Sequence, residues 1–135
     1  MAGISLQEAR HVVDAAAEKA TAIGVPMNVA VVDAGNNLTA FVRQDGAWLG
    51  SIDIAQGKAY TARAFDMPTR DLVPAVQPGG SLYGIEVSNQ GHLIVFPGGI
   101  PIVAGEEIVG AIGVSGGSVE QDQEVAEAGV AAYGG

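Results

Sequence analysis

The chain has 135 residues, of which 48% are hydrophobic and only 5% aromatic, and 15 acidic against 6 basic side chains give a formal net charge of −9. That balance excludes a nucleic-acid-binding face, which needs clustered cations to displace counterions from phosphates. The lack of cysteine excludes disulfides, thiolate catalysis and thiolate metal sites.

A single domain over residues 1–135 is expected, its core built from Val, Ile, Leu and abundant Ala. Ile4, Ala9, Val12, Val13, Ala16, Ala20 and Ile23 recur at helical spacing, with Gln7, His11, Asp14 and Glu18 opposite, which predicts an amphipathic helix over residues 6–23. Ser5 and Glu8 form a capping box at its start, Gly24 ends it, and Pro26 prevents its return. No leader pattern precedes this helix, and no apolar run approaches the roughly 20 residues that span a bilayer. A cytoplasmic protein without a membrane partner is the expectation.

Asn28 to Asp33 and Leu38 to Arg43 read as a hairpin around the turn Ala34-Gly35-Asn36-Asn37, with the Asp33 carboxylate capping the turn. Ala47 to Phe65 reads as a second helix with Trp48, Ile52, Ala55, Ala59 and Ala62 on one face. Gly57 in its interior marks the close approach of a neighbouring element. Lys58 beside it is either a solvated lysine or a cation reaching into a pocket or subunit seam. Pro68 restarts the chain, Thr69 to Val76 can form a short helix, and Gln77-Pro78-Gly79-Gly80 breaks it. Leu82 to Gln90 reads as an irregular loop with room for a short strand, and His92 to Phe96 as a third principal strand. Two apolar runs, Ile100 to Val103 and Ile108 to Val114, then form a hairpin that passes through Ser115-Gly116-Gly117 into a last helix. Ser118 and Gln121 cap that helix, which runs from Val119 to about Tyr133, turns Val119, Val125, Ala128 and Ala132 inward, and ends at Gly134-Gly135. This order of elements argues for an α+β fold, an antiparallel sheet covered by helices.

Pro97-Gly98-Gly99 with Pro101-Ile102, the run Gly110 to Gly117, and Gln121 to Gly129 resemble the C-terminal signature of the GlcG/HbpS-type proteins. Those are small haem-associated domains that also occur fused to PduO-type corrinoid adenosyltransferases. Earlier pieces agree in order: Val29 to Leu38, Arg43-Gln44-Asp45-Gly46, Lys58-Ala59 with Thr61-Ala62, and Pro68-Thr69. The resemblance implies a profilin-like sandwich of about five antiparallel strands flanked by helices, assembled as a homo-oligomer. It also implies haem, or a related tetrapyrrole such as a corrinoid, bound within or between subunits.

Haem takes an axial His, Cys, Met or Tyr, an apolar slot and cations for its propionates. The chain offers His11, His92, Met27, Met67 and three tyrosines, and Arg43 and Lys58 complete the candidate cofactor-binding set with His11 and His92. His11 is equally readable as an exposed helical histidine, and His92 as a hydrogen-bonded histidine at a strand end. A metal site is not expected, since the two histidines have no paired local spacing. Gly110 to Gly116 is not the dinucleotide fingerprint, which needs G-x-G-x-x-G in a βαβ unit. Ser115 to Gly117 are either a structural elbow or an anion seat at a helix N-terminus.

Two other functions compete. One is a small cofactor-independent acid/base enzyme, an isomerase, hydratase or lyase on a small oxygenated acid, with Glu86, Asn89 and Lys58 as catalytic candidates and His92, Asp33, Arg43 and Asp45 within possible reach. The other is an oligomeric accessory or scaffold protein.

Overall fold

The computed structural model describes residues 3–134. Gly135, expected with Gly134 to close the last helix, lies outside the described residues. The first helix, α1, spans Leu6–Ile23, with both halves of the Ser5/Glu8 capping box formed and Gly24 closing it at φ 76°. β1 (Asn28–Asp33) and β2 (Leu38–Arg43) pair antiparallel. One Asp33 carboxylate oxygen accepts the N–H groups of both Gly35 and Asn37 at 2.9 Å, the turn cap expected from sequence. α2 spans Gly50–Phe65, β3 Gly99–Ala104, β4 Glu107–Ser115 and α3 Val119–Ala131, the last started by the Ser118/Gln121 capping box.

The four strands form one antiparallel sheet in the order β2-β1-β4-β3. The C-terminal hairpin therefore docks β4 against β1 in the centre of the sheet. Val109 to Ser115 are all buried, because this strand is covered on both faces and needs an unbroken small or apolar run. β3 takes an edge, where Pro101 costs no ladder hydrogen bond on the open side.

The two faces of the sheet are covered differently. α1 and α3 pack together over one face, burying Val12, Val13, Met27, Val29, Val31, Ile112, Val114 and Val125. α2 lies alone on the other, over Ala30, Val32 and Ala111, with Ala55, Ala59 and Ala62 turned inward as expected.

Four expectations are corrected. The sheet has four strands rather than about five, because His92 to Phe96 joins no ladder. That segment lies along α2 instead, the Ile94 N–H donating to Thr61 Oγ1 at 2.9 Å while a Cβ on Gly57 would come within 2.5 Å of Ile94. Gly57 is thus the close approach expected, and the neighbour is this apolar segment. Leu82 to Gln90 contains no strand and folds into 3₁₀ turns at Ile85–Val87 and Asn89–Gly91. The short helix expected over Thr69 to Val76 is a 3₁₀ turn, Thr69–Leu72, continued only as turns, since Pro74 supplies no N–H for a longer helix. Trp48 precedes α2 and is 66% exposed rather than sharing its inward face.

Candidate functional site

Among the described residues Lys58 is the largest fully buried side chain. α2 carries its stem beneath Gly98 and its backbone carbonyl against Gly99, and its Nζ donates to the Val114 carbonyl at 2.7 Å and to Asp122 Oδ2 at 2.8 Å. The ammonium also lies 4.9 Å from the centroid of the Phe96 ring, a cation–π distance. A Cβ on Gly98, where φ is 126°, would sit 2.6 Å from the Val114 oxygen and 2.7 Å from Nζ. The Pro-Gly-Gly turn is glycine because a lysine passes directly under it.

Asp122 is turned back onto the start of its own helix, Oδ1 accepting the Gly117 N–H at 2.9 Å. The anion at this glycine elbow is therefore the protein's own carboxylate, favoured by the free N–H groups and helix dipole there. Burial pushes the Lys58 ammonium below its ordinary pKa, with the charge and hydrogen bond of Asp122 working against the shift. Burial likewise raises Asp122, opposed by Lys58 and by the backbone N–H groups of Gly117 and Gly116.

On the outer side of α2 is a cleft of about 200 Å³ lined by Val32, Asn36, Leu38, Asp53, Gln56, Gly57, Tyr60, Gly91, His92 and Ile94. Asp53, Gln56, Gly57 and Tyr60 fall three, four and seven residues apart, so they stack along one face of the helix. Tyr60 and His92 meet edge to face, ring centroids 5.6 Å apart and planes at 83°. The hydroxyl of Tyr60 donates to Asn89 Oδ1 at 3.0 Å, and Asn36 Nδ2 donates to the Tyr60 carbonyl at 3.1 Å, tying the β1–β2 turn to α2. Asn89, Gln90 and Gly91 all hold positive φ, 52°, 57° and 76°, a left-handed run that delivers His92 to the cleft mouth.

The candidate residues do not share one cavity. His92 is exposed and borders the cleft. His11 is exposed on the solvent side of α1, in a surface depression with Gln7, Glu8, Tyr133 and Gly134. Arg43, exposed at the end of β2, donates from Nη2 to the Ala47 carbonyl at 3.1 Å and borders a further depression with Gln44 and Asp45. Glu86 stands exposed on the Ile85–Val87 turn, and Asn89 touches the cleft only through Tyr60. Lys58, on the sheet side of α2, lines none of these hollows. Of the candidate methionines, Met27 is core and Met67 is half-buried. Among the described residues no group of three His, Cys, Asp or Glu side chains could hold a metal ion, and no helix is long and apolar enough to cross a membrane.

Sequence reasoning missed Asp53, Gln56, Tyr60 and Asn36 as cleft residues. Their stripe on α2 was readable as a polar face opposite the alanines. Asp122 as the partner of Lys58 was not, since 64 residues separate them.

The open four-stranded antiparallel sheet, with one helix on one face and two on the other, defines an α+β protein whose signature glycines enclose a buried lysine–aspartate pair. The chain belongs to the HbpS-like family: the family model described as "Haem degrading protein HbpS-like" matches residues 4–131. It is 43% identical over 127 residues to an uncharacterized 15.0 kDa protein of the dhaT-dhaS intergenic region of Citrobacter freundii, covering 94% of this chain and 89% of that one. It is 40% identical over 129 residues to the corrinoid adenosyltransferase PduO of Citrobacter freundii, covering 96% of this chain but only 38% of the transferase. The crystal structure of a PduOC:heme complex superposes with a TM-score of 0.94 at 38% identity, covering 98% of this chain and 96% of that one.

Proposed function

We propose that this chain binds haem or a related tetrapyrrole at a seat formed wholly or partly between subunits, with His11 as the axial ligand. The observation that carries the reading is the likeness, over nearly all of both chains, to a protein solved as a haem complex. The adenosyltransferase relative extends the same reading to a corrinoid. The setting is a cytoplasmic homo-oligomer with a profilin-like fold.

The dimensions of the protomer favour a shared seat. Sites that enclose drug-sized ligands run to roughly 300–1,000 Å³, and the cleft that His92 borders offers about 200 Å³. A macrocycle does not fit inside it. His11 is free of that restriction, because its imidazole stands on an open helix face where a flat ligand can be covered by a second protomer. Tyr133 in the same depression offers an aromatic neighbour. Of the two candidate cations, Lys58 has its ammonium committed internally, which leaves the exposed Arg43 to meet a propionate. Bound haem would supply a redox-active iron; the chain supplies the ligand and the covered surface.

Titration of the purified protein with haem tests this. The expected result is a saturable Soret shift, lost in His11→Ala and retained in His92→Ala, with both variants folded. Absence of a shift under both oxidising and reducing conditions overturns haem binding. Loss in His92→Ala alone overturns the ligand assignment.

A further inference from the structure

The cleft beside α2 is independent of the haem reading, and the disposition of its hydrogen-bonding groups points to a ligand of a different kind. Three polar side chains in its wall each commit one donor to the protein itself. Asn36 Nδ2 is spent on the Tyr60 carbonyl at 3.1 Å, Gln56 Nε2 on the Ile52 carbonyl at 3.3 Å, and the Tyr60 hydroxyl on Asn89 Oδ1 at 3.0 Å. What remains is chiefly acceptor capacity, beside the second N–H of each carboxamide and the ring of His92 at the mouth. Asp53 is exposed and has no hydrogen-bond or ion-pair partner among the described residues, and Gln56 Oε1 is likewise free. Asn36 Oδ1 is closed off from solvent and unpartnered, an uncompensated negative end of an amide dipole in the wall. No lysine or arginine lines the cleft, where Asp53 is the acidic side chain and His92, held edge to face with Tyr60, the basic one.

A molecule that donates hydrogen bonds and carries positive charge suits the free Asp53 carboxylate and the free Gln56 carbonyl best. The chain's net charge of −9 favours a cation further, by raising its local concentration. Val32, Leu38 and Ile94 supply an apolar side for a short hydrocarbon, and Tyr60 presents an aromatic ring whose quadrupole attracts cations. A volume of about 200 Å³ limits the guest to a small molecule. From these features we infer that the cleft binds a small organic ammonium ion, its charged head on Asp53 and Gln56 and its hydrocarbon part against Val32, Leu38 and Ile94.

Titration of isotope-labelled protein with n-butylammonium chloride, followed through amide chemical shifts, tests the inference against sodium butyrate at matched ionic strength. Saturable shifts at Gln56, Gly57, Tyr60, Gly91 and His92 are expected with the ammonium and not with the carboxylate. Asp53→Asn should weaken binding about tenfold, the loss of one charge-assisted hydrogen bond, and Gln56→Met should weaken it less. Asp53 is exposed, so its variant is expected to keep the amide spectrum of the folded protein. Equal saturation by butyrate, no saturable response to the ammonium, or unchanged affinity in Asp53→Asn would each overturn it. Haem titration of Asp53→Asn separates the two readings, since His11 lies on another surface and its Soret response should not move.

Discussion

The two faces of the sheet solve the same problem, covering a strand surface with helix, by opposite means. Under α1 and α3 the buried side chains are Val, Ile and Met as well as Ala, an ordinary apolar core. Under α2 the cluster is nearly all alanine, and the remaining buried groups on that helix are polar: Ser51, Lys58 and Thr61. Small residues let the α2 backbone come down almost onto the sheet. A Cβ on Gly113 would collide with the Ala55 carbonyl oxygen and the Ala59 nitrogen. One face is held by bulk and its burial from water, the other by close approach and by specific polar pairs. The second arrangement leaves α2 with chemistry on both sides, an ion pair inward and the cleft outward.

The strongest way to break that contrast is to remove the inward pair. Lys58→Met leaves Asp122 buried without a counter-charge, and the expected loss is about 3–5 kcal/mol in denaturant unfolding. The pH dependence has a definite sign. Burial already raises the Asp122 carboxyl, and losing Lys58 removes the group that holds it down. A carboxyl raised above its unfolded value contributes stability that is present at low pH and lost as pH rises through the folded value. The variant should therefore be more stable at about pH 5 than at about pH 8. The double variant Lys58→Met, Asp122→Leu should recover much of the lost stability and abolish this pH slope. A single variant as stable as the parent would mean that the α2 face does not depend on its polar pair.

Two adjacent residues of β4 sharpen the comparison, because their side chains point to opposite faces. Ile112 faces α1 and α3, where Gly129 brings α3 down onto its side chain. Ile112→Ala should cost about 2–5 kcal/mol through lost burial and the cavity left behind. Gly113 faces α2, and Gly113→Ala should cost about 1–3 kcal/mol for the opposite reason, overpacking against backbone that no rotamer change relieves. Urea unfolding of both variants checks the pair. A neutral Gly113→Ala would show that α2 is seated less closely than the contacts require.

What the sequence makes legible follows the same division. α1 is bounded by a capping box and a glycine, and its predicted limits, residues 6–23, are those observed. The β1–β2 hairpin, the Asp33 turn and the close approach at Gly57 were also readable, because each is determined by residues near one another in the chain. His92 to Phe96 misled because a short apolar run has the same appearance whether it pairs with a strand or lies along a helix. The Thr61 hydroxyl, which takes the Ile94 N–H, and the gap at Gly57, which admits Ile94, distinguish the two. The candidate site suffered more. His11, Arg43 and His92 can be singled out by residue type, yet they border three separate hollows, and convergence in space has no local signal. Lys58 was readable as a cation beside a gap, but its burial depends on Asp122 and Val114 far along the chain.

That separation bears on how the protein is made. Lys58 finds its partners 56 and 64 residues downstream, so while the chain is being synthesised α2 can form but cannot bury its charge until the final hairpin and helix emerge. The face beneath α2 must close late, after its most distant pieces exist, and a nascent chain interrupted before Asp122 is left with an ammonium that has to stay in water.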